Sequence, residues 1–194
     1  MDNTFLREAV SIGDQIIQLA EKNEHGISWK TFQFAGDKKV WDVSENIYQG
    51  NSGIILFFLA LYTITTDKKY LHIAEECMRW TDWYCEQNST NYYAFITGRM
   101  GVSYTFLKLF EATNKQEYLK KALTTAKGCV TFIENSHQMC EFINGASGTL
   151  LGLLHLHAAT QESWVLQSIN IFTQHLIQNA KFGKVGLYWD IMPQ

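Results

Sequence analysis

Apolar residues run unbroken from Gly53 to Leu61 (GIILFFLAL), in a chain whose other segments mix apolar and polar positions. Crossing a bilayer as a helix takes about 20 apolar residues, so this run is too short to span one. It is long for a strand, and Leu, Ala and Phe suit a helix. A helix apolar on every side has to be covered on every side. The run opens the block GNSGIILFFLALYTIT (50–65). GRMGVSYTFLKLFEAT (98–113) and GASGTLLGLLHLHAAT (145–160) align with that block without a gap. Their second glycines, Gly53, Gly101 and Gly148, are 48 and 47 residues apart, and each block ends in threonine (Thr65, Thr113, Thr160). Three matches at one period define an array, with repeats of approximately 50–97, 98–144 and 145–190.

A second kind of helix follows each block. In 117–133, Leu119, Ala122, Leu123, Ala126, Val130 and Ile133 recur at spacings of three and four, with Lys120, Lys121 and Lys127 between them. Val165, Ile169, Phe172 and Leu176 repeat the stripe, as do Leu71, Ala74, Met78 and Thr81. These are one-sided amphipathic helices, so each repeat predicts an inner helix followed by an outer one. Residues 3–22 predict an extra outer helix at the start. An open solenoid of the HEAT kind has a similar period but leaves every helix partly solvated. The nearly uniform apolarity of the inner helices favours an all-α, α/α toroid, here a partial one of about three inner/outer helix-hairpin repeats in a single domain, 1–194. The paired glycines (Gly50 and Gly53, Gly98 and Gly101, Gly145 and Gly148) would let crowded helix ends approach one another. Inner helices that all point one way would bring free N–H groups and positive dipole ends to one mouth. The loops feeding that mouth, 25–49, 88–97 and 136–144, are long and aromatic, as binding loops on a rigid scaffold tend to be.

Composition narrows the partners. The 194 residues are 46% hydrophobic and 14% aromatic, with a net charge of −3, enough for one domain with a substantial core. The charge balance gives no nucleic-acid footprint and no basic run suited to a membrane surface. The N-terminus MDNTFLREAV lacks a signal-peptide pattern. The four cysteines, Cys77, Cys85, Cys129 and Cys140, show no CxxC spacing and fit reduced thiols in a cytoplasmic protein. Cys77 and Cys85 read as small buried residues. Trp80, Trp83 and Tyr84 read as packing. His155 and His157, two apart on one helix, face different directions and read as core or partner-bonded histidines rather than a ligand pair.

The FITGRMGVSYTFLKLF block, the YLKKA after it and the INGASGTLLGLL block resemble the lanthionine synthetase C-like family, including the cyclase domains of fused lanthipeptide synthetases. The resemblance covers roughly residues 40–190. It implies an α/α toroid with zinc in its central cavity, and addition of a peptide cysteine thiolate to dehydroalanine or dehydrobutyrine to close a thioether ring. The implied partner is a precursor peptide; some relatives are linked to glutathione addition instead. The family's zinc ligands lie in Trp-Cys-x-Gly and Cys-His-Gly blocks, and a His-Gly block supplies an acid or base. None of these blocks occurs here, so no metal ligand is assigned and zinc is implied only for the complete domain. The chain therefore looks like the N-terminal half of such a cyclase. GLYWD (186–190) echoes GISW (26–29), as though a further unit were beginning.

Where family members often carry an aspartate, four residues before the first glycine of the third block, this chain has Glu141. That makes Glu141 the catalytic candidate, beside the alternative of a rim carboxylate at a helix N-terminus. Arg99 is a candidate to meet a substrate carboxylate, or to form a salt bridge at the helix start. Two other functions stay open: a non-catalytic helical scaffold or peptide-binding module, and an α/α-toroid carbohydrate-active enzyme, for which Glu141 would need Asp42 or Glu45 as a second carboxylate. A chain with open toroid edges is also expected to pair with a second copy as a homodimer.

Overall fold

The computed structural model describes residues 4–36, 38–134 and 139–190. The chain is all-α in class with three small hairpins added, and it divides into two compact units: residues 1–89 with 108–114, and residues 90–107 with 115–194. The repeat is present as helix pairs. These are α2 (Asn51–Thr65) with α3 (Lys68–Gln87), α4 (Arg99–Thr113) with α5 (Gln116–Ala126) and α6 (Cys129–Glu134), and α7 (Ala146–Thr160) with α8 (Ser163–Gln178).

The junctions explain the repeat's punctuation. Each GxxG helix ends at a residue in the left-handed conformation: Thr66 (φ 59°), Asn114 (φ 57°) and Gln161 (φ 54°). Their amides donate to Tyr62, Phe110 and His157 carbonyls at 2.8, 2.7 and 2.8 Å, closing the last turn. The threonine just before each one bonds back to a carbonyl four residues earlier, Thr65 to Leu61, Thr113 to Leu109 and Thr160 to Leu156. The terminal threonines of the three blocks are therefore hinge residues between inner and outer helix.

In the first unit, α1 (Thr4–Gln18) packs on α2 through Gly13, where a side chain would strike Leu61. Asp14 reaches Lys69 at 2.9 Å and the Tyr70 hydroxyl at 3.3 Å. The predicted extra helix is present. The region predicted as a long loop is not a plain loop. It contains β3 (Thr31–Ala35) antiparallel to β4 (Lys38–Asp42), and β2 (Gly26–Ser28), which pairs antiparallel with β1 (Glu21–Asn23) at the end of the stretch predicted as the extra helix. The first hairpin is seated on α3. Gly26 has φ +138°, and a Cβ there would overlap the Glu76 carbonyl and approach Trp80. His25 stacks on Trp83 with centroids 4.0 Å apart, and Trp80 stacks on Tyr84. The core of this unit includes Ile55, Phe58, Tyr70, Ala74, Cys77 and Met78.

In the second unit, Ser103 of α4 donates to the Ala122 carbonyl of α5 at 2.8 Å, and Phe106 lies against Tyr118. The predicted continuous helix over 117–133 breaks after Ala126. At Gly128 the Tyr93 hydroxyl occupies the space a Cβ would need, and α6 starts afresh beyond it. Leu153, Leu156, Val165 and Phe172 bury the α7–α8 contact. A last hairpin, β5 (Lys181–Gly183) antiparallel to β6 (Gly186–Tyr188), follows α8. Among the described residues no helix is long and apolar enough to cross a membrane.

Candidate functional site

The three GxxG helices begin in the same way, each with its own incoming loop laid on its first turn. Asn51 donates its amide to Ser44 (2.8 Å), Arg99 to Tyr92 (3.0 Å) and Ala146 to Met139 (2.8 Å), in each case to a carbonyl seven residues upstream. The incoming loop folds back over the helix end. The N-terminal amides are therefore not all free for a ligand, because loop carbonyls already satisfy the first of them. At Gly53 and Gly148 a Cβ would overlap the carbonyls of Ile47 and Phe142, six residues upstream. The motif thus brings each helix's own loop backbone onto its first turn, and at Gly148 it also admits the Phe95 side chain from the segment ahead of α4.

Within the second unit this device brings loop 88–97 and loop 139–144 together. Tyr92 and Thr97 hydroxyls lie 3.1 Å apart, and Asn144 Oδ1 accepts from both, at 3.2 and 2.8 Å. The Ile96 amide donates to the Ile143 carbonyl, and the Thr149 hydroxyl to the Tyr93 carbonyl. Burial raises the Tyr92 phenol above its ordinary range, while the Thr97 hydrogen bond pulls it down and the Glu141 charge adds to the rise. The same loops carry an aromatic cluster into α4 and α7. Phe95 meets Tyr104 at 5.2 Å and Phe142 at 5.8 Å, and Tyr104 meets His155 edge-on at 5.2 Å. This cluster was missed in the sequence, although its aromatic residues recur in the two loops ahead of the glycine blocks.

Glu141 sits at this loop but is already engaged. One carboxylate oxygen accepts the Ile143 amide at 2.6 Å and the other accepts the Asn144 amide. The equivalent position of the first repeat, four residues before Gly50, is Asn46, whose side chain accepts the Gln49 amide at 2.9 Å. The first and third repeats thus carry a turn-capping side chain at that position, while the second has Ala94 there. Arg99, a candidate for a substrate carboxylate or a helix-start salt bridge, is only 6% exposed. Its charge is instead near enough to lower the Tyr93 phenol, against the larger upward effect of burial. In the first unit Asp42 accepts the amide of its neighbour Val43 at 2.8 Å.

Among the described residues no three His, Cys, Asp or Glu side chains gather as metal ligands would. Of the two readings given for the histidines, core or partner-bonded, His157 Nδ1 fits the first: it is enclosed with no hydrogen-bond partner among the described residues. Cys77 and Cys129 are buried, while Cys85 is half-buried. Burial pushes the Cys77 thiol well up and the Cys129 thiol up to about 11. Both are protonated and unreactive at neutral pH.

The chain matches the family described as "Lanthionine synthetase C-like protein" over residues 42–190. No curated protein matches the chain. The match spans all three GxxG helices and their partners, and the chain belongs to the lanthionine synthetase C-like family.

Proposed function

We propose that this chain is the N-terminal part of a lanthionine synthetase C-like cyclase acting on a dehydrated precursor peptide. In the complete form a cysteine thiolate adds to the β-carbon of dehydroalanine or dehydrobutyrine. A C–S bond forms, the alkene electrons move to an enolate, and the α-carbon then takes a proton. The observation that carries this reading is the family match across the three repeats. The residues present do not fit zinc, so no step is assigned to the metal within this chain. What the chain supplies is a rim: the Tyr92–Thr97–Asn144 hydroxyl and amide cluster, the aromatic cluster of the same loops, and loop 139–144 held by Glu141.

Glu141 is the proposed catalytic carboxylate of this half, in addition to its capping role. The two roles separate experimentally in a chimera in which residues 42–190 replace the corresponding segment of an active family cyclase. Thioether formation is followed by mass spectrometry after alkylation of unreacted cysteines. The expected result is ring closure by the chimera, with Glu141→Gln slowing it at least tenfold at a temperature well below its melting point. A folded, zinc-loaded chimera that closes no rings would favour the non-catalytic peptide-binding scaffold instead. A Glu141→Gln chimera with a lower melting temperature and an unchanged rate would leave Glu141 a cap alone.

A further inference from the structure

The outer helices differ in charge. α3 carries Lys68, Glu75, Arg79 and Asp82 among others, and α5 carries Glu117, Lys120 and Lys121. α8, SWVLQSINIFTQHLIQ, has no Asp, Glu, Lys or Arg in its sixteen residues. Exposed helix positions are ordinarily where charges collect. On α8 carboxamides stand in their place.

Three of them, Asn170, Gln174 and Gln178, recur at every fourth residue, so they follow one side of the helix. With Ile171 and His175 of α8 and Ile133 of α6, they line a groove of about 400 Å³. All three carboxamides are exposed, and none has a hydrogen bond among the described residues. Ile133 is buried and Ile171 is 40% exposed, which makes the hollow between them apolar. In the wall, His175 Nε2 is enclosed with no hydrogen-bond partner among the described residues. The groove is therefore rich in hydrogen-bonding groups that the fold itself does not use.

A carboxamide presents a donor and an acceptor side by side, the complement of a peptide backbone. This chain already contains that pairing: the Asn51 side chain accepts the Trp29 amide at 2.9 Å and donates to the Trp29 carbonyl at 3.3 Å. Four residues of helix rise about 6 Å. Two residues of an extended chain advance about 6.6–6.8 Å, a difference that long side chains absorb. Successive carboxamides thus match alternate residues of one extended strand. We propose that the α6–α8 groove binds an extended, uncharged stretch of the precursor peptide, with a branched aliphatic side chain in the hollow between Ile133 and Ile171. A charged residue there would lose water and find no counter-charge in the lining. The groove belongs to α6 and α8, not to the loops ahead of α4 and α7 that make the rim. The peptide is held at one place while its ring-forming residues are free to reach another, which raises their effective concentration.

The precursor as the peptide's source rests on the cyclase reading, and the groove is tested apart from it. The probe is the blocked peptide acetyl-Ser-Val-Thr-Val-Ser-Val-Thr-amide, titrated into the ¹⁵N-labelled chain and followed by NMR. Saturable shifts are expected in the side-chain NH₂ signals of Asn170, Gln174 and Gln178. Gln174→Leu, at an exposed site, is expected to keep the fold and weaken binding about tenfold or more. Methylating either the valine nitrogens or the serine and threonine nitrogens of the probe tests the pairing with alternate residues. One set alone is expected to weaken binding to that extent. Absence of saturable shifts, or shifts confined to loops 88–97 and 139–144, would overturn the groove. Binding indifferent to both Gln174→Leu and methylation would overturn it as well. A chimera that closes rings while the chain does not bind the probe in the groove leaves the function and removes the groove. Groove binding by a chain whose chimera closes no rings overturns the cyclase reading, and with it the precursor as the peptide's source.

Discussion

Hairpins 21–29 and 181–189 are the same local structure in two surroundings, one seated on α3 and α2, the other in solvent. Since the strand register, the positive-φ glycine and the tryptophan-to-carbonyl bond survive without a seat, they are specified by the hairpin and the helix before it. What the seat adds is burial and the exchange of hydrogen bonds with Asn51. Substitutions should therefore have unequal effects at matched positions, in proportion to what each position touches.

The largest contrast is expected at the glycines. Both Gly26→Ala and Gly186→Ala force a side chain into a φ that favours glycine, a cost of about 1–3 kcal/mol. Only Gly26→Ala also drives a Cβ into the Glu76 carbonyl, and the total there is expected to reach about 3–5 kcal/mol. Urea unfolding monitored by circular dichroism measures both. Equal losses would mean that the first hairpin is not held against α3.

Next come the tryptophans. Trp29→Phe removes a buried donor and leaves the Ile16 carbonyl without it, for an expected loss of about 1–3 kcal/mol. Trp189→Phe removes a matched bond at an exposed site and is expected to cost about 0.5 kcal/mol or less. A large effect at Trp189 would show that its surroundings are already as closed as those of Trp29.

These contrasts also mark where the sequence was legible. The three-fold period, the inner and outer helices and the hinge threonines follow from residue spacing, because a helix face repeats over many residues. The hairpins escaped notice because strands of three to five residues have too few positions for alternation to stand out. The available signal was TFQFA and KKVWD either side of Gly36 (φ +64°), a turn between two short apolar-polar runs. Glu141 was found by position, but its bonds to the Ile143 and Asn144 amides depend on a loop path that no spacing reveals. Arg99 was read as meeting a substrate carboxylate or as a helix-start salt bridge, and the loop that folds back over that start accompanies its burial.

A smaller effect concerns pH. The Cys77 thiol is buried 3.6 Å from Asn51 Oδ1, the atom that accepts the Trp29 amide, and its burial raises it, as burial raises Cys129 to about 11 from 9.0. In the unfolded chain such thiols ionise near pH 9 while the folded chain keeps their protons. The unfolded state then binds fewer protons, so the stability present below pH 9 is lost as pH rises toward 11. Cys77→Ala should flatten the alkaline limb of a pH-melting curve. An unchanged limb would mean that Cys77 is not enclosed in the folded chain.

Amide hydrogen exchange on the chain alone, read at Trp29 and Trp189 in one experiment, tests the comparison most directly. Trp29 donates its amide to a buried side chain, whereas Trp189 has no matching partner among the described residues. The account predicts that Trp29 exchanges only with opening of its unit and that Trp189 exchanges at least ~100-fold faster. Equal protection at the two tryptophans would contradict it.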